Sequence, residues 1–446
     1  MDKKEKNQKL NLKIETKDLD PGALFIIKRL NNQGYEAFLV GGCIRNLLMG
    51  KEVPDWDIAT SALPAEISEV FRDYKVIPIG KRFGTLTVVI KGSNYEVSTF
   101  KKSESSLDSP PNLFEDLRQR DFTINALAWG EEKGVIDYFG GLEDLQQKII
   151  RGVEDPAERI REDPLRMLRA VRLAGELDFT LDRVTLRAIK ENSALIKKVS
   201  LERIRDELIK LLMSTTPQKG FRLLQQLSLL KNVLPELVAT VGFYRQGNYQ
   251  EEDLFSYILD RLNHLPSDLV LRLVALLYEV ERLAFTDTEA KKGGREQAQG
   301  ILRRLRFKNS LIKEVNTLIQ EDWQEVDFSS PQYIRRLLSR LGEENVLRIV
   351  ELKKAEGKAS KDAVDRRSKL SEAERIEKEV REIWQERPPL SLKDLALSGE
   401  DLIKLGYPEG KEIGEILRKL LDIVIDRPEM NKKELLIKLI KQAEGK

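Results

Sequence analysis

Cysteine and histidine are almost missing from this sequence: Cys43 and His264 are the sole examples in 446 residues. One thiol cannot close an intramolecular disulfide, which suits a reducing compartment, and a cytoplasmic location is expected. One imidazole excludes a His-rich metal site and any mechanism that needs two histidines. Cys43 lies beside a Gly-Gly turn with no histidine near it in sequence, so it is not expected to act as a nucleophile. No apolar run reaches the length of a membrane span, so no membrane partner is expected. The first residues, MDKKEKNQKLNLKIETKD, are polar and lack an apolar h-region, so no secretory signal is read there. Charge of one sign is also lacking. Lys and Arg total 76 against 74 Asp and Glu, a net +2, so a polyanionic partner has to be announced by local patches.

What is present is a long, charge-rich chain with room for two to four domains. Ala23, Ile26, Ile27 and Leu30 recur at helical spacing, and Ala37–Val40 reads as a short buried strand ending at Gly41-Gly42. Further strands are expected at Trp56–Ala59, Thr85–Ile90, Tyr95–Phe100 and Val135–Asp137. After about residue 155 strand signals stop and Leu- and Arg-rich helical periodicity takes over, so an α+β head followed by an all-helical remainder is expected. Thr286–Gly294 reads as a flexible connection. Residues 353–390 are charged and poor in apolar side chains, as in an exposed helix or mobile loop. Amphipathic order returns over residues 391–446, around Gly406-Tyr407-Pro408-Glu409-Gly410.

Chemistry concentrates in Leu39-Val40-Gly41-Gly42-Cys43-Ile44-Arg45 and in Asp55-Trp56-Asp57. A strand, a Gly-Gly turn and a helix start offer N–H groups to an anion, and Arg45 adds a charged donor. Residues i and i+2 of a strand share a face, so Asp55 and Asp57 are expected to converge and to attract a hard cation such as Mg²⁺. Glu96 is a third carboxylate, at a strand position that usually holds an apolar residue. The plain alternative has the aspartates capping a turn and Glu96 facing water on an edge strand.

The segments GGCIRNLLMG, PDWDIATSALP, QRDFTINALAW, IDYFGG and EDPLRMLRAVRLA follow one another in order. Together they resemble the class II tRNA nucleotidyltransferases, a branch of the polymerase β-like superfamily that includes bacterial poly(A) polymerases. The resemblance runs through about residues 36–210. A weaker match at the end, GEDLIKLGYPEGKEIGEIL followed by NKKELL, is similar to the family's tRNA-binding tail. The resemblance implies an N-terminal extension over 1–20, a nucleotidyltransferase head over 21–150 with a mixed sheet, a helical neck over 151–215, a helical body over 216–352 and a tRNA-binding tail over 353–446. It implies two Mg²⁺ ions at Asp55 and Asp57, with Glu96 as the third catalytic acid. Gly41, Gly42 and Arg45 would cradle the triphosphate, and Arg120, Asp121 and Asn125 would contact the nucleotide's sugar and phosphates. Glu162, Asp163 and Arg166 would select the base, with Arg169 beside them. From the residues alone, Asp163-Pro164 also reads as a helix start and Arg120-Asp121 as a surface ion pair. Arg166, Arg169 and Arg172 share one helix face, opposite Met167, Leu168, Ala170, Val171 and Ala174. Ser200-Leu201-Glu202-Arg203-Ile204 resembles a further neck motif and reads equally as a helix cap.

The implied partners are the 3′ end of tRNA, through its acceptor and TΨC arms, and CTP, with ATP in some members; no protein partner is expected. The run Gly80-Lys81-Arg82-Phe83-Gly84-Thr85 is similar to the tRNA enzymes rather than to poly(A) polymerases. The segment Lys101–Leu113 is short and has no arginine, whereas full CCA-adding members carry an arginine-containing loop there. That points to a CC-adding enzyme, with full CCA addition as the alternative and A-adding or poly(A) activity behind both. Asn46 replaces the family's usual Asp after the arginine, which is expected to weaken the orientation of Arg45.

Overall fold

The computed structural model describes residues 13–78, 84–101, 111–244, 253–285 and 296–443. The runs at Thr286–Gly294, Ile79–Phe83 and Lys102–Pro110 lie outside the described residues. The chain divides into two compact units, Met1–Val238 and Ala239–Lys446.

The first unit opens with the helix Pro21–Asn32. Asp20 caps it by accepting from the N–H groups of Gly22 and Ala23, and Pro21 occupies the first turn, where its missing N–H costs nothing. Its buried stripe is Ala23, Ile26, Ile27 and Leu30, as the spacing implies. A mixed sheet follows, built from β1 (Ala37–Val40), β2 (Asp57–Thr60), β3 (Lys75–Pro78), β4 (Thr85–Ile90), β5 (Ser93–Thr99), β6 (Leu127–Gly130) and β7 (Gly134–Asp137). Its order is β3-β4-β5-β2-β1-β6-β7, with β2 and β5 parallel and the other pairs antiparallel. β2 starts at Asp57 rather than Trp56, so Asp55 lies in the irregular lead-in and not on the strand. β3 and β6 carry no clear alternation. Pro78 confines β3 to an edge, and β6 is buried along its whole length.

One face of the sheet packs on the first helix, where Tyr95 donates its hydroxyl to Asp20 at 2.6 Å. The other face closes over Phe38, Val40, Ala59, Phe100, Leu113, Leu117 and Val153. Beyond Gly152 the elements of the unit are helices, except for the two-residue strand Thr180–Leu181, which pairs with Ile149–Ile150. The helix Arg166–Leu177 buries Met167, Leu168, Ala170, Val171 and Ala174, as its periodicity requires.

All the described elements of the second unit are helices. The charged stretch expected to be an exposed helix or a mobile loop is largely helical: it spans the end of Pro331–Ala359, a segment broken by non-helical backbone at Gly342, and the helix Ala363–Gln385 packed against it. Ala373, Ile376, Val380 and Ile383 form the buried seam, and Lys354 bridges Glu351 and Glu377 across it. A Cβ at Gly357 would sit 3.1 Å from Lys369 Cβ, so the small residue permits this close approach. The last helices, Gly399–Lys404, Lys411–Asp426 and Lys433–Ala443, share a core of Leu397, Leu402, Leu420, Val424 and Leu436. No helix among the described residues is long and apolar enough to cross a membrane.

Candidate active site

β1 ends at Gly41, whose φ of +83° lies in the region that favours glycine. A Cβ there would also come within 2.6 Å of Arg120 Nη1, so glycine leaves room for that guanidinium. The helix Gly42–Leu48 begins at once and buries Arg45. Arg45 donates from Nη1 to Asn125 Oδ1 at 2.6 Å, and from Nε and Nη2 to Asn46 Oδ1 at 3.1 and 2.8 Å. Asn46 Oδ1 thus accepts two donors of Arg45 and helps to aim it. Burial pushes the Arg45 guanidinium down from its ordinary value.

The carboxylates occupy the neighbouring strands. Asp57 and Glu96 are aligned partners in the parallel pair β2–β5, so their side chains leave the same face of the sheet side by side. Glu96 is exposed, yet β5 is an interior strand between β4 and β2 rather than an edge. Burial raises the Asp57 pKa; Arg120 opposes the rise, and the charges of Glu96 and Asp55 add to it. Among the described residues no group of three His, Cys, Asp or Glu closes around a metal position. An Asp57 whose pKa is raised in part by neighbouring carboxylate charges nonetheless fits a cation placed among them. Cys43 is buried, donates to the Val40 carbonyl, and is pushed up to about 11 by burial and the Asp57 charge, so it is no nucleophile.

Behind the aspartates a buried polar chain crosses the site. Asn125 Nδ2 donates to Asp121 Oδ1 at 3.0 Å, the Phe122 N–H donates to the same oxygen at 2.8 Å, and Arg169 Nε reaches Oδ2 at 2.7 Å. Burial alone would raise the Asp121 carboxyl. The Arg169 guanidinium and these donors overcome it and hold the group at about 2. Arg120 and Asp121 are not a surface pair with each other: Asp121 is buried on Arg169, and Arg120 bonds buried Asp116. Phe122, Thr123, Ile124 and Asn125 are all buried, and Thr123–Asn125 form one tight 3-10 turn.

Glu162, Asp163 and Arg166 stand at a helix junction. Asp163 ends the helix Pro156–Glu162, and the next helix begins at Arg166, so the Asp163-Pro164 pair is a linker and not the helix start. The proper cap of this kind is Asp155-Pro156, seven residues earlier. Asp163 accepts from the Leu165 N–H and from Arg203 Nη2 at 2.7 Å. Arg166 donates to Glu162 Oε2 and to the carbonyls of Arg159 and Gln119, the last at 2.7 Å. Arg172 is held by Glu207 and Glu176. Ser200 caps the helix Leu201–Leu212, as its sequence offers, and Arg203 in its first turn reaches Asp163. Sequence reasoning missed Asp116, and missed that Arg203 of the Ser200–Ile204 segment pairs with Asp163. The i,i+4 spacing of Asp116 and Arg120 is a usable signal, whereas Arg203 and Asp163 are 40 positions apart and give none.

Comparison with known proteins identifies the family. Residues 37–151 match the family model described as the poly A polymerase head domain. Residues 178–240 match one described as a probable RNA and SrmB-binding site of polymerase A, and residues 288–440 match the tRNA nucleotidyltransferase domain 2 model. A CCA-adding enzyme of Lactobacillus gasseri is 45% identical over 219 residues, 47% of this chain and 54% of that protein. The CCA-adding enzyme of Pediococcus pentosaceus is 33% identical over 414 residues, 90% of this chain and 92% of that protein. The crystal structure of Bacillus stearothermophilus CCA-adding enzyme in complex with CTP superposes with a TM-score of 0.72. It is 30% identical, over 96% of this chain and 100% of that one. Shared motifs, shared fold and similarity along nearly the whole length make one conclusion: this chain is a nucleotidyltransferase and belongs to the tRNA nucleotidyltransferase family of the CCA-adding enzymes.

Proposed function

We propose that the chain builds the CCA end of tRNA, transferring CMP and then AMP from CTP and ATP to the terminal 3′-hydroxyl and releasing pyrophosphate. The carrying observation is the aligned pair Asp57–Glu96, with Asp57 under the charges of Arg120 and Arg169, together with the buried chain Arg45–Asn125–Asp121–Arg169. Carboxylates on one side and guanidinium groups on the other are what a metal-bound triphosphate requires. In this reading Asp55 and Asp57 hold Mg²⁺, with Glu96 beside them. Two such ions supply activation of the attacking hydroxyl and charge neutralisation of the triphosphate. Gly41 and Gly42 leave space for the phosphates, Arg45 and Arg120 face them, and Asp121 with Asn125 keeps Arg45 and Arg169 aimed. Glu162, Asp163 and Arg166 address the base edge, which steric fit alone discriminates poorly. Glu162 and Arg166 are already bonded to each other, so a base that pairs with both exchanges one hydrogen bond for others.

The relatives named above support addition of the whole CCA. The reading that stops at CC rests on the short, arginine-free Lys101–Leu113 segment, most of which lies outside the described residues. One assay decides between them. The protein is offered tRNA lacking CCA and tRNA ending in CC, each with CTP or ATP alone. CMP addition to the first and efficient AMP addition to the second are expected. CMP addition without AMP addition would make the chain a CC-adding enzyme, and no addition at all would overturn the proposal.

A further inference from the structure

The cation-rich face between the helices Gln297–Arg304 and Asn309–Gln320 has no part in the site above. In a chain whose charges nearly cancel, the stretch Gln297–Lys313 contains Arg303, Arg304, Arg306, Lys308 and Lys313 and no carboxylate. The two helices enclose an open cleft of about 430 Å³ lined by Arg303, Lys313, Gln299, Asn309, Asn316 and Thr317, again with no acid. Arg303 and Lys313 are exposed, and among the described residues neither side chain is in an ion pair. That separates them from the cations of Ala363–Gln385, where Arg375 and Arg381 are bound to Glu379 and Glu377. Asn316 is only 9% exposed, yet among the described residues its side-chain amide makes no hydrogen bond.

We infer that this cleft is a docking site for the sugar-phosphate backbone of RNA. Arg303 and Lys313 would neutralise adjacent phosphates. Asn309, Asn316 and Gln299 carry both donors and acceptors, which match 2′-hydroxyls as well as phosphate oxygens. Two cations without carboxylate partners form a poor surface for an acidic protein segment, which would also need apolar anchors, and Ile312 is the cleft's one apolar residue. The inference rests on the reading that the chain acts on tRNA, and it assigns part of the tRNA contact to one concentrated patch.

The test uses the full chain with Arg303→Gln and Lys313→Gln combined, against Arg72→Gln, at an exposed arginine paired with Glu69, as a control that also removes a positive charge. Direct binding to tRNA lacking CCA is measured across salt concentrations, together with KM for CTP. The double variant is expected to weaken tRNA binding about tenfold and to flatten the slope of log affinity against log salt by about 1.5, the signature of two lost phosphate contacts. CTP KM and the control's affinity stay at wild-type values. Wild-type affinity and slope in the double variant would overturn the inference while leaving the proposed activity intact. Loss of a free-CTP site in the double variant, with tRNA binding unchanged, would also overturn it in favour of a nucleotide site. A wild-type chain that binds tRNA through this pair but adds nothing would overturn the proposed function alone, and one that binds no tRNA would overturn both.

Discussion

Asn125 stands between Arg45 and Asp121 and bonds both, accepting from the guanidinium at 2.6 Å and donating to the carboxylate at 3.0 Å. Only a side chain with a donor and an acceptor on one rigid amide serves both neighbours without adding charge. Asn125→Leu keeps the volume and removes both bonds, leaving a buried arginine and a buried carboxylate each short of a partner. The expected cost is about 1–3 kcal/mol of stability, with a higher KM for nucleotide. Thermal unfolding and initial rates measure the two effects; an unchanged melting midpoint would contradict the bridging role.

Asp121 makes stability depend on pH in a stated direction. Its folded carboxyl is held at about 2, below the ordinary 3.8, by Arg169 and its other donors. A depressed carboxylate contributes stability that is fully present above the ordinary value and is lost as pH falls from about 4 towards 2. The contribution is about 2 kcal/mol. Asp121→Asn should therefore be less stable than wild type at neutral pH and should flatten the acid limb of the stability curve. Denaturant titrations at pH 7 and pH 3 measure it, and parallel curves for the two proteins would refute it.

Asp57→Asn preserves shape and removes one charge from the pair with Glu96. Nucleotide addition is expected to fall by at least about a hundredfold, with tRNA affinity near that of wild type. Incorporation of labelled CMP reads the first quantity and direct binding the second. Near-normal incorporation would remove Asp57 from the metal-holding role.

Arg166→Ala takes away the donor that Glu162 and the Gln119 carbonyl hold in place. Competition between CTP and ATP on tRNA lacking CCA should show relaxed base choice, by about tenfold for one lost charged hydrogen bond, while turnover at saturating nucleotide changes less. Unchanged selectivity would make Arg166 a structural brace between the helix junction and Gln119.

Much of this was legible in the sequence where signal is local. The stripe Ala23, Ile26, Ile27, Leu30, the strands Ala37–Val40 and Thr85–Ile90, and the buried side of Arg166–Leu177 all follow from spacing within one element. Errors came where distant residues decide. Asp163-Pro164 satisfies the local rule for a helix start, but Arg203, brought in from another helix, holds Asp163 at a junction instead. Arg120 and Asp121 are adjacent in sequence, yet Asp116 and Arg169 claim them separately. The charged run after residue 353 left an exposed helix and a mobile loop open; it is helical, and its two-helix seam needs few apolar residues when its lysines find glutamates across it.

The parallel alignment of Asp57 with Glu96 has a practical use. A slip of β5 by one residue would send Glu96 to the opposite face from Asp57 while leaving the helix content and most of the sheet unchanged. Circular dichroism would hardly register such a molecule, but it could transfer no nucleotide. Specific activity therefore counts the correctly threaded fraction of any preparation, and refolding yields judged by spectrum alone will overstate it.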